Sequence, residues 1–521
     1  MDAILILDFG SQTTQLIARR IRERGVYSRI LPGDTPASEM ELKQSVKGII
    51  LSGSPYSVND ADAPVLDPDF YDAVDELGIP VLGICYGLQR MVSDLGGGVA
   101  GDSKREFGRS RQFRHREHPL FTRVPDGFIS WMSHGDRITE LPEEAELVSE
   151  SEHGMPGTVD FPRRNMVGIQ FHPEVSHCEY GPEILGNFAV EICRARAEWS
   201  MAGYARHEAA EIRERVGETP VVLLISGGVD STVAAALLLQ ALPPEQVYLL
   251  YVDNGLMRKG ETEQVTGALE RLGAVNLHVV DASDRFLAQL SGVEDPEEKR
   301  RAIGDEFMRV QQDELRQYLP DSYYLAQGTL YPDLVESGSG VGNKARVIKS
   351  HHNVRSPLVQ EKREEGRIVE PLRHLYKDEV RRLGVELGVP EETVKRHPFP
   401  GPGLAVRIVG EVTRERCEVL REVDAIYIAQ LKERGLYDEI WQAFCVLLPI
   451  RSVGVTGDER GYGHVVALRA VVSRDGMTAD VYPFPHEDLA EISARITNEI
   501  PEVGRIVYDV SSKPPATIEW E

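Results

Sequence analysis

The chain has 521 residues, 41% of them hydrophobic and 27% charged, a globular composition long enough for roughly three or four domains. Acidic side chains outnumber basic ones by 83 to 58, a formal net charge of −25, which argues against a general nucleic-acid or anionic-membrane binder. No apolar run approaches the ~20 residues of a membrane span. The five cysteines, Cys85, Cys178, Cys193, Cys417 and Cys445, include no C-x-x-C pair, so neither a disulfide framework nor a zinc site is expected and a cytoplasmic location is.

The chain opens with an apolar run, Ala3–Leu7, that no basic segment precedes. It reads as a first strand, not a signal peptide. It leads into Asp8-Phe9-Gly10-Ser11-Gln12 and a helix over Thr13–Arg24. Gly48–Leu51 ends at Ser52-Gly53-Ser54-Pro55, and Pro80–Ile84 ends at Cys85. Apolar strands that stop at glycine turns and alternate with helical patterns predict an α/β domain with a parallel sheet, its ligands at the carboxyl ends of the strands.

Gly83-Ile84-Cys85-Tyr86-Gly87-Leu88-Gln89 sets a cysteine between glycines at ±2. A sharp strand-to-helix elbow needs small neighbours and presents its nucleophile in the open, and a helix N-terminus favours the thiolate. A nucleophile needs a base and a group to orient it. Both stand in Gln170-Phe171-His172-Pro173-Glu174, after another strand-like run, Met166–Ile169. His172 and Glu174 are two apart, on one face of an extended strand end.

These residues resemble the class I glutamine amidotransferases, over all of residues 1–197. The resemblance implies that Cys85 attacks the amide of glutamine, His172 relays the proton and Glu174 orients His172. It also implies an oxyanion hole near Gly53 and Tyr86, with Gln89 at the glutamine site. Ser52-Gly53-Ser54-Pro55 has one serine where the commoner pattern has glycine. Trp131-Met132-Ser133-His134-Gly135-Asp136 resembles the family's glutamine-site segment and reads otherwise as a surface turn.

Residues 198–396 begin with connector helices, Ile184–Gly203 running into Tyr204–Val216. Then Val221–Ile225 meets Ser226-Gly227-Gly228-Val229-Asp230-Ser231 and a helical stretch from Thr232. That is a buried strand, a glycine turn and a helix start whose outward amides suit phosphate. No lysine follows the glycines, so this is not a Walker loop. Asp230 adds a carboxylate that can hold Mg²⁺ against phosphates. The six residues resemble the loop of ATP pyrophosphatases, which cleave ATP between its α- and β-phosphates. The likeness places ATP on Ser226, Gly227, Gly228, Val229, Asp230, Ser231 and Thr232.

Further strands are predicted at Val247–Val252, ending at Asp253, at Leu277–Val280, and at Tyr323–Ala326. Asp253 lies near adenosine by the resemblance, or is a helix N-cap. A glycine-rich loop over 336–343, followed by Lys344, Arg346, Lys349, His351 and His352, is a candidate lid, with Lys349 neutralising the leaving pyrophosphate.

Residues 397–521 start with the stiff His397-Pro398-Phe399-Pro400-Gly401-Pro402-Gly403. A helix over Glu411–Arg434, strands at Val465–Ser473 and Met477–Tyr482, a helix over Asp488–Glu499 and a strand at Arg505–Asp509 predict a small α+β module with an antiparallel sheet. One face of that sheet needs cover, and a partner subunit is one way. Val446–Arg451 and Gly457–Arg460 read as arginines near a turn. The closing stretch, Lys513-Pro514-Pro515-Ala516-Thr517-Ile518-Glu519-Trp520-Glu521, is stiffened by two prolines.

As a whole the chain resembles the glutamine-dependent ligases that aminate a purine nucleotide. That likeness implies xanthosine monophosphate (XMP) as acceptor, touched by Arg301, Pro400, Gly401, Pro402, Gln442, Lys513, Ile518 and Glu519, with Arg300 the alternative to Arg301. It implies GMP as product, Mg²⁺ with ATP as substrate, a sheltered passage for ammonia and a homodimer formed through the last domain. An amidating enzyme of the NAD-synthetase type is the alternative.

Overall fold

In the computed structural model of the chain, the uninterrupted aliphatic runs become parallel strands buried on both faces. Residues 1–42, 45–318, 322–331, 357–456, 459–473 and 478–521 are described, and they fall into two units, the described residues of 1–204 and those of 205–331 with 357–521. The candidate lid, with Lys344, Arg346, Lys349, His351 and His352, lies outside the described residues, as do Gly457, Asp458 and Met477.

The first unit is built on a nine-stranded sheet. Its strands are β1 (Ala3–Asp8), β2 (Tyr27–Pro32), β3 (Val46–Leu51), β4 (Val81–Ile84), β5 (Gly98–Arg114), β6 (Ile129–Glu140), β7 (Glu146–Ser151), β8 (Pro156–Phe161) and β9 (Met166–Ile169), in the order β2-β1-β3-β4-β9-β8-β7-β5-β6. The pairings from β2 to β9 are parallel and those from β9 to β6 antiparallel, so the sheet is mixed where a parallel one was predicted. Ile4 and Ile6 pack on one face with Ile17 and Ile21 of the helix Thr14–Glu23. Leu5 and Leu7 pack on the other with Phe70 and Val74 of the helix Phe70–Leu77. A strand covered on both sides has no polar position to alternate with, which is why β1 reads as a solid apolar run.

The continuous helix expected over Ile184–Gly203 is broken. A helix over Gly181–Gly186 widens into a π-turn over Asn187–Ile192, and helix resumes only at Met201–Val216. Tertiary contacts outweigh helix propensity here. Asp2 accepts from the Arg196 amide at 3.0 Å and from its guanidinium at 3.1 Å. Trp199 stacks on Tyr27 at 5.0 Å and donates its amide to Gly25 at 2.7 Å.

The second unit holds two sheets. The first is all parallel: β10 (Val221–Ile225), β11 (Val247–Asp253), β12 (Asn276–Asp281), β13 (Tyr324–Ala326) and β14 (Ile368–Val369), ordered β12-β11-β10-β13-β14. The chain steps outward from β10 on one side, then returns to build β13 on its other side. The carboxyl end of β10 is therefore the topological switch point, where open parallel sheets bind ligands.

The second sheet comprises β15 (Gln442–Thr456), β16 (Glu459–Val472), β17 (Asp480–Val481) and β18 (Val503–Tyr508). β15 and β17 pair antiparallel to β16, but β18 pairs parallel to it, so the predicted antiparallel sheet has one parallel edge. The helix His486–Glu499 supplies the crossover that a parallel neighbour requires. Val446–Arg451, predicted near a turn, lies inside β15. Leu420, Val423 and Tyr427 of the helix Arg414–Glu433 share one core with Ala443, Cys445 and Leu468 of the sheet.

Candidate active site

Cys85 sits between β4 and the helix Tyr86–Asp94 with φ +53° and ψ −104°, a left-handed conformation that side chains adopt only under constraint. The constraint is tight packing on both sides. A Cβ at Gly83 would lie 2.7 Å from the Leu88 amide nitrogen, and one at Gly87 would lie 2.4 Å from the Leu51 carbonyl oxygen. Only glycine fits at ±2, as the elbow reading required.

His172 follows β9, and its Nδ1 lies 2.7 Å from Oε1 of Glu174, which is fully buried. Thr13 donates its hydroxyl to the same oxygen at 2.6 Å, and Arg20 donates to the Glu174 carbonyl at 3.2 Å. Burial pushes the His172 pKa down, but the Glu174 carboxylate and the Cys85 sulfur outweigh it and hold the imidazole well above its ordinary value. Cys85, His172 and Glu174 are thus brought together. Gly53 lies beside them: a Cβ there would stand 3.4 Å from His172 Cε1.

The Cys85 amide is spent on the Ile169 carbonyl at 2.8 Å. The Tyr86 amide, first in its helix, has no acceptor within that helix. Trp131–Asp136 is not a surface turn but part of β6. The Ser133 carbonyl lies 3.9 Å from Cys85 Sγ, and the Trp131 carbonyl accepts from the His172 amide at 2.9 Å. Gln89 is buried, and its amide nitrogen donates to Asp136 O at 3.2 Å and Gln170 Oε1 at 3.3 Å.

Sequence reasoning missed Thr13, Gln170 and Glu106. The Gln170 side-chain nitrogen is 3.6 Å from Cys85 Sγ. Burial raises the Glu106 carboxyl, but His134, Ser110 and Ser151 outweigh it and hold it below the usual carboxylate range. Thr13 and Gln170 lie 161 and 85 residues from the groups they meet, and Glu106 is joined to His134 and Ser151 only when the strands that carry them come together, so no local motif signals these roles.

In the second unit, Ser226–Ser231 leaves β10 at the switch point. Gly227 takes φ +78°, and Gly228 opens the helix Val229–Ala241. The hydroxyls knit the turn: Ser226 Oγ lies 3.2 Å from Ser231 Oγ, and Thr232 Oγ1 donates to Gly228 O at 3.0 Å. Arg396 braces it from outside, donating to Gly227 O at 3.2 Å and Glu261 at 2.9 Å. Asp230 stands in the first turn of the helix, its oxygens 2.6 and 2.5 Å from Lys377 Nζ. Lys377 and Arg396 were not predicted.

Asp253 ends β11. It accepts from Thr262 Oγ1 at 2.6 Å and from the Gly255 amide at 2.8 Å. The residue that opens the next helix, Glu261–Arg271, is Gly260, so the N-cap reading of Asp253 does not apply. Among the described residues no three His, Cys, Asp or Glu side chains gather as a metal site. Mg²⁺ commonly takes only one or two carboxylates besides phosphate oxygens and water, a requirement that the partly exposed Asp230 fits.

The residues assigned to the acceptor are largely assembled. Arg407, fully buried, donates to both oxygens of Glu519 at 2.8 and 3.1 Å, and Gln442 donates to Glu519 at 2.6 Å and to Pro398 O at 3.2 Å. Pro400 accepts from the Gly403 amide at 2.9 Å, closing the turn through Gly401 and Pro402. Ile518 packs against Phe444 and Val446, and Lys513 exchanges backbone bonds with Ala479. Arg301 is 71% exposed on the helix Pro296–Tyr318 and faces Glu298 at 3.6 Å.

A strained Cys elbow with a buried His–Glu pair on one sheet, and a phosphate turn at the switch point of another, define a glutamine amidotransferase joined to an ATP-pyrophosphatase fold. Family models agree: glutamine amidotransferase class-I matches residues 5–192, NAD synthase residues 207–311, and GMP synthase C terminal domain residues 429–520. Curated relatives named GMP synthase [glutamine-hydrolyzing] are similar from end to end. That of Chlorobium chlorochromatii is 50% identical, covering 100% of both chains. Those of Caldicellulosiruptor saccharolyticus and Aquifex aeolicus are each 49% identical, covering 100% and 99% of this chain and 99% of their own. The chain belongs to the glutamine-hydrolysing GMP synthase family. The NAD synthase match stops at residue 311 and marks the shared nucleotide-binding fold only, so the NAD-synthetase alternative is set aside.

Proposed function

We propose that the chain aminates XMP to GMP with nitrogen from glutamine, and that the residues above divide the work as follows. In the first unit the Cys85 thiolate attacks the glutamine amide. His172 gives its proton to the departing ammonia, leaving a thioester. Water then attacks, His172 takes its proton, glutamate leaves and the thiolate is restored. Glu174, held by Thr13, keeps His172 turned toward the sulfur. The Tyr86 and Gly53 amides receive the developing oxyanion.

In the second unit ATP lies along Ser226–Thr232. The C2 oxygen of XMP attacks the α-phosphorus, the bond to the β-phosphate oxygen breaks, and pyrophosphate leaves. Ammonia then displaces AMP from the adenylated nucleotide. Mg²⁺, when bound at Asp230, supplies charge neutralisation on the phosphates. Lys377, released from Asp230, offers its ammonium to the same phosphates. Gln442, Glu519 and the Pro400–Pro402 turn hold the purine, and Arg301 its phosphate. The domain borders proposed are 1–197, 198–396 and 397–521.

A homodimer through the last sheet accords with the exposed Ile450, Val453 and Tyr462 on β15 and β16. A cytoplasmic location accords with five unpaired cysteines, and no helix among the described residues is long and apolar enough to cross a membrane.

The full-length likeness carries the choice of acceptor. Pyrophosphate release is to be measured with XMP, deamido-NAD and other acceptors, and the nucleotide product identified. The expected result is release with XMP alone, with AMP formed; turnover of deamido-NAD overturns the reading.

A further inference from the structure

Two fully buried cations in the second unit grip one segment. Arg407 holds Glu519. Lys299, on the helix Pro296–Tyr318, donates to the carbonyls of Ala405 at 3.3 Å and Ile408 at 2.7 Å and to the carboxylate of Glu521. A buried ammonium is costly without a counter-charge, and Glu521, itself 7% exposed in its side chain, provides one. Trp520 between them turns elsewhere and donates to Asp509 at 2.9 Å. The segment cannot slide or rotate without stranding a buried cation.

Lys299 also joins three parts that contribute to the proposed acceptor site. Its helix carries Arg301 two residues later. Its carbonyl acceptors flank Arg407, just after the Pro400–Pro402 turn. Its carboxylate partner lies two residues beyond Glu519. We infer that Lys299 and Glu521 form a positioning pair that fixes the spacing of the acceptor site, setting XMP affinity without touching XMP. This rests on the acceptor reading given above.

The test uses the full chain with ammonium salt as nitrogen donor, and reads the KM for XMP, the KM for ATP and the Tm. Glu521→Gln is expected to lower the Tm and to raise the XMP KM roughly tenfold, since small misplacements around a site are costly. Lys299→Met/Glu521→Leu removes both charges together and is expected to recover the Tm. It lacks the directed bonds to Ala405 and Ile408, so its XMP KM stays raised while the ATP KM is unchanged. Recovery of the XMP KM together with the Tm, or a parallel rise in the ATP KM, shows a merely structural pair and overturns the inference. Glu519→Gln separates the two levels. If it leaves the XMP KM unchanged, the acceptor reading falls and the inference with it. If it raises that KM and the double variant does not, only the inference falls.

Discussion

Both carboxylate oxygens of Asp230 lie within 2.6 Å of the Lys377 ammonium. Asp230 sits in the first turn of the helix Val229–Ala241, where the helix dipole already favours anions, and Lys377 reaches it from the start of the helix Lys377–Glu386. In the proposed reaction, phosphate arriving there would compete with Asp230 for Lys377 and free the carboxylate for a cation. Asp230→Asn is therefore expected to stop pyrophosphate release while basal glutamine hydrolysis stays measurable. Lys377→Met is expected to raise the ATP KM by roughly tenfold or more. Normal pyrophosphate release by the Asn variant would remove Asp230 from the phosphate chemistry.

Cys85→Ala is expected to abolish glutamine-driven synthesis and to spare synthesis from ammonium salt. If both activities vanish together, the division into two half-reactions is wrong.

Glu174 is a main reason the His172 imidazole keeps its proton against the pull of burial. In Glu174→Gln that support is lost while burial remains, so the imidazole pKa falls. The Cys85 sulfur loses its cationic neighbour, and iodoacetamide should alkylate it more slowly at neutral pH. An unchanged alkylation rate would show that the carboxylate does not act through His172.

Gly87→Ala places a methyl 2.4 Å from the Leu51 carbonyl oxygen. The backbone must shift, and the expected cost is about 2 kcal/mol or more. Glutaminase activity is expected to fall with it, measured beside the thermal transition of the first unit.

His397 stacks on Tyr437 at 3.9 Å, with Nε2 2.9 Å from Tyr437 O, and its Nδ1 accepts from the Ala443 amide at 3.2 Å. Burial chiefly, then Arg258 and Arg381 against the Tyr437 carbonyl, lower its pKa from 6.5 to about 4. Between those values the unfolded chain binds the extra proton. Stability from this group is thus full above 6.5, falls by up to about 1.4 kcal/mol per pH unit on acidification, and levels off below about 4. Denaturant midpoints of the wild type and His397→Gln, compared across this range, should converge as the pH falls; parallel curves would contradict the assignment.

The sequence exposed those parts of the architecture that rest on local chemistry. Gly83-x-Cys85-x-Gly87 named its own elbow, because each glycine answers a contact within a few ångströms. The Ser226–Ser231 turn did the same. The parallel edge at β18 was hidden, since Val503–Tyr508 would read alike in either direction and only the crossover helix decides. The break at 193–200 was hidden because Asp2 and Tyr27, far away in sequence, impose it. Thr13, Lys377, Arg396 and Lys299 were hidden for the same reason: an isolated threonine or a lone basic residue has no pattern until folding supplies its partner.

The helix that follows the phosphate turn has hardly a wet face. Val233, Ala234, Ala235, Leu237 and Leu238 are all essentially inaccessible to solvent. A segment so enclosed opens only when most of the unit opens, and its amides should be among the slowest to exchange with deuterium. A triphosphate bound there as proposed would thus meet a mould, not a hand. Adjustment to the ligand falls to side chains at the rim, such as the half-exposed Lys377, and rigidity at the turn is what lets a glycine-rich backbone hold its amides ready before any ligand arrives.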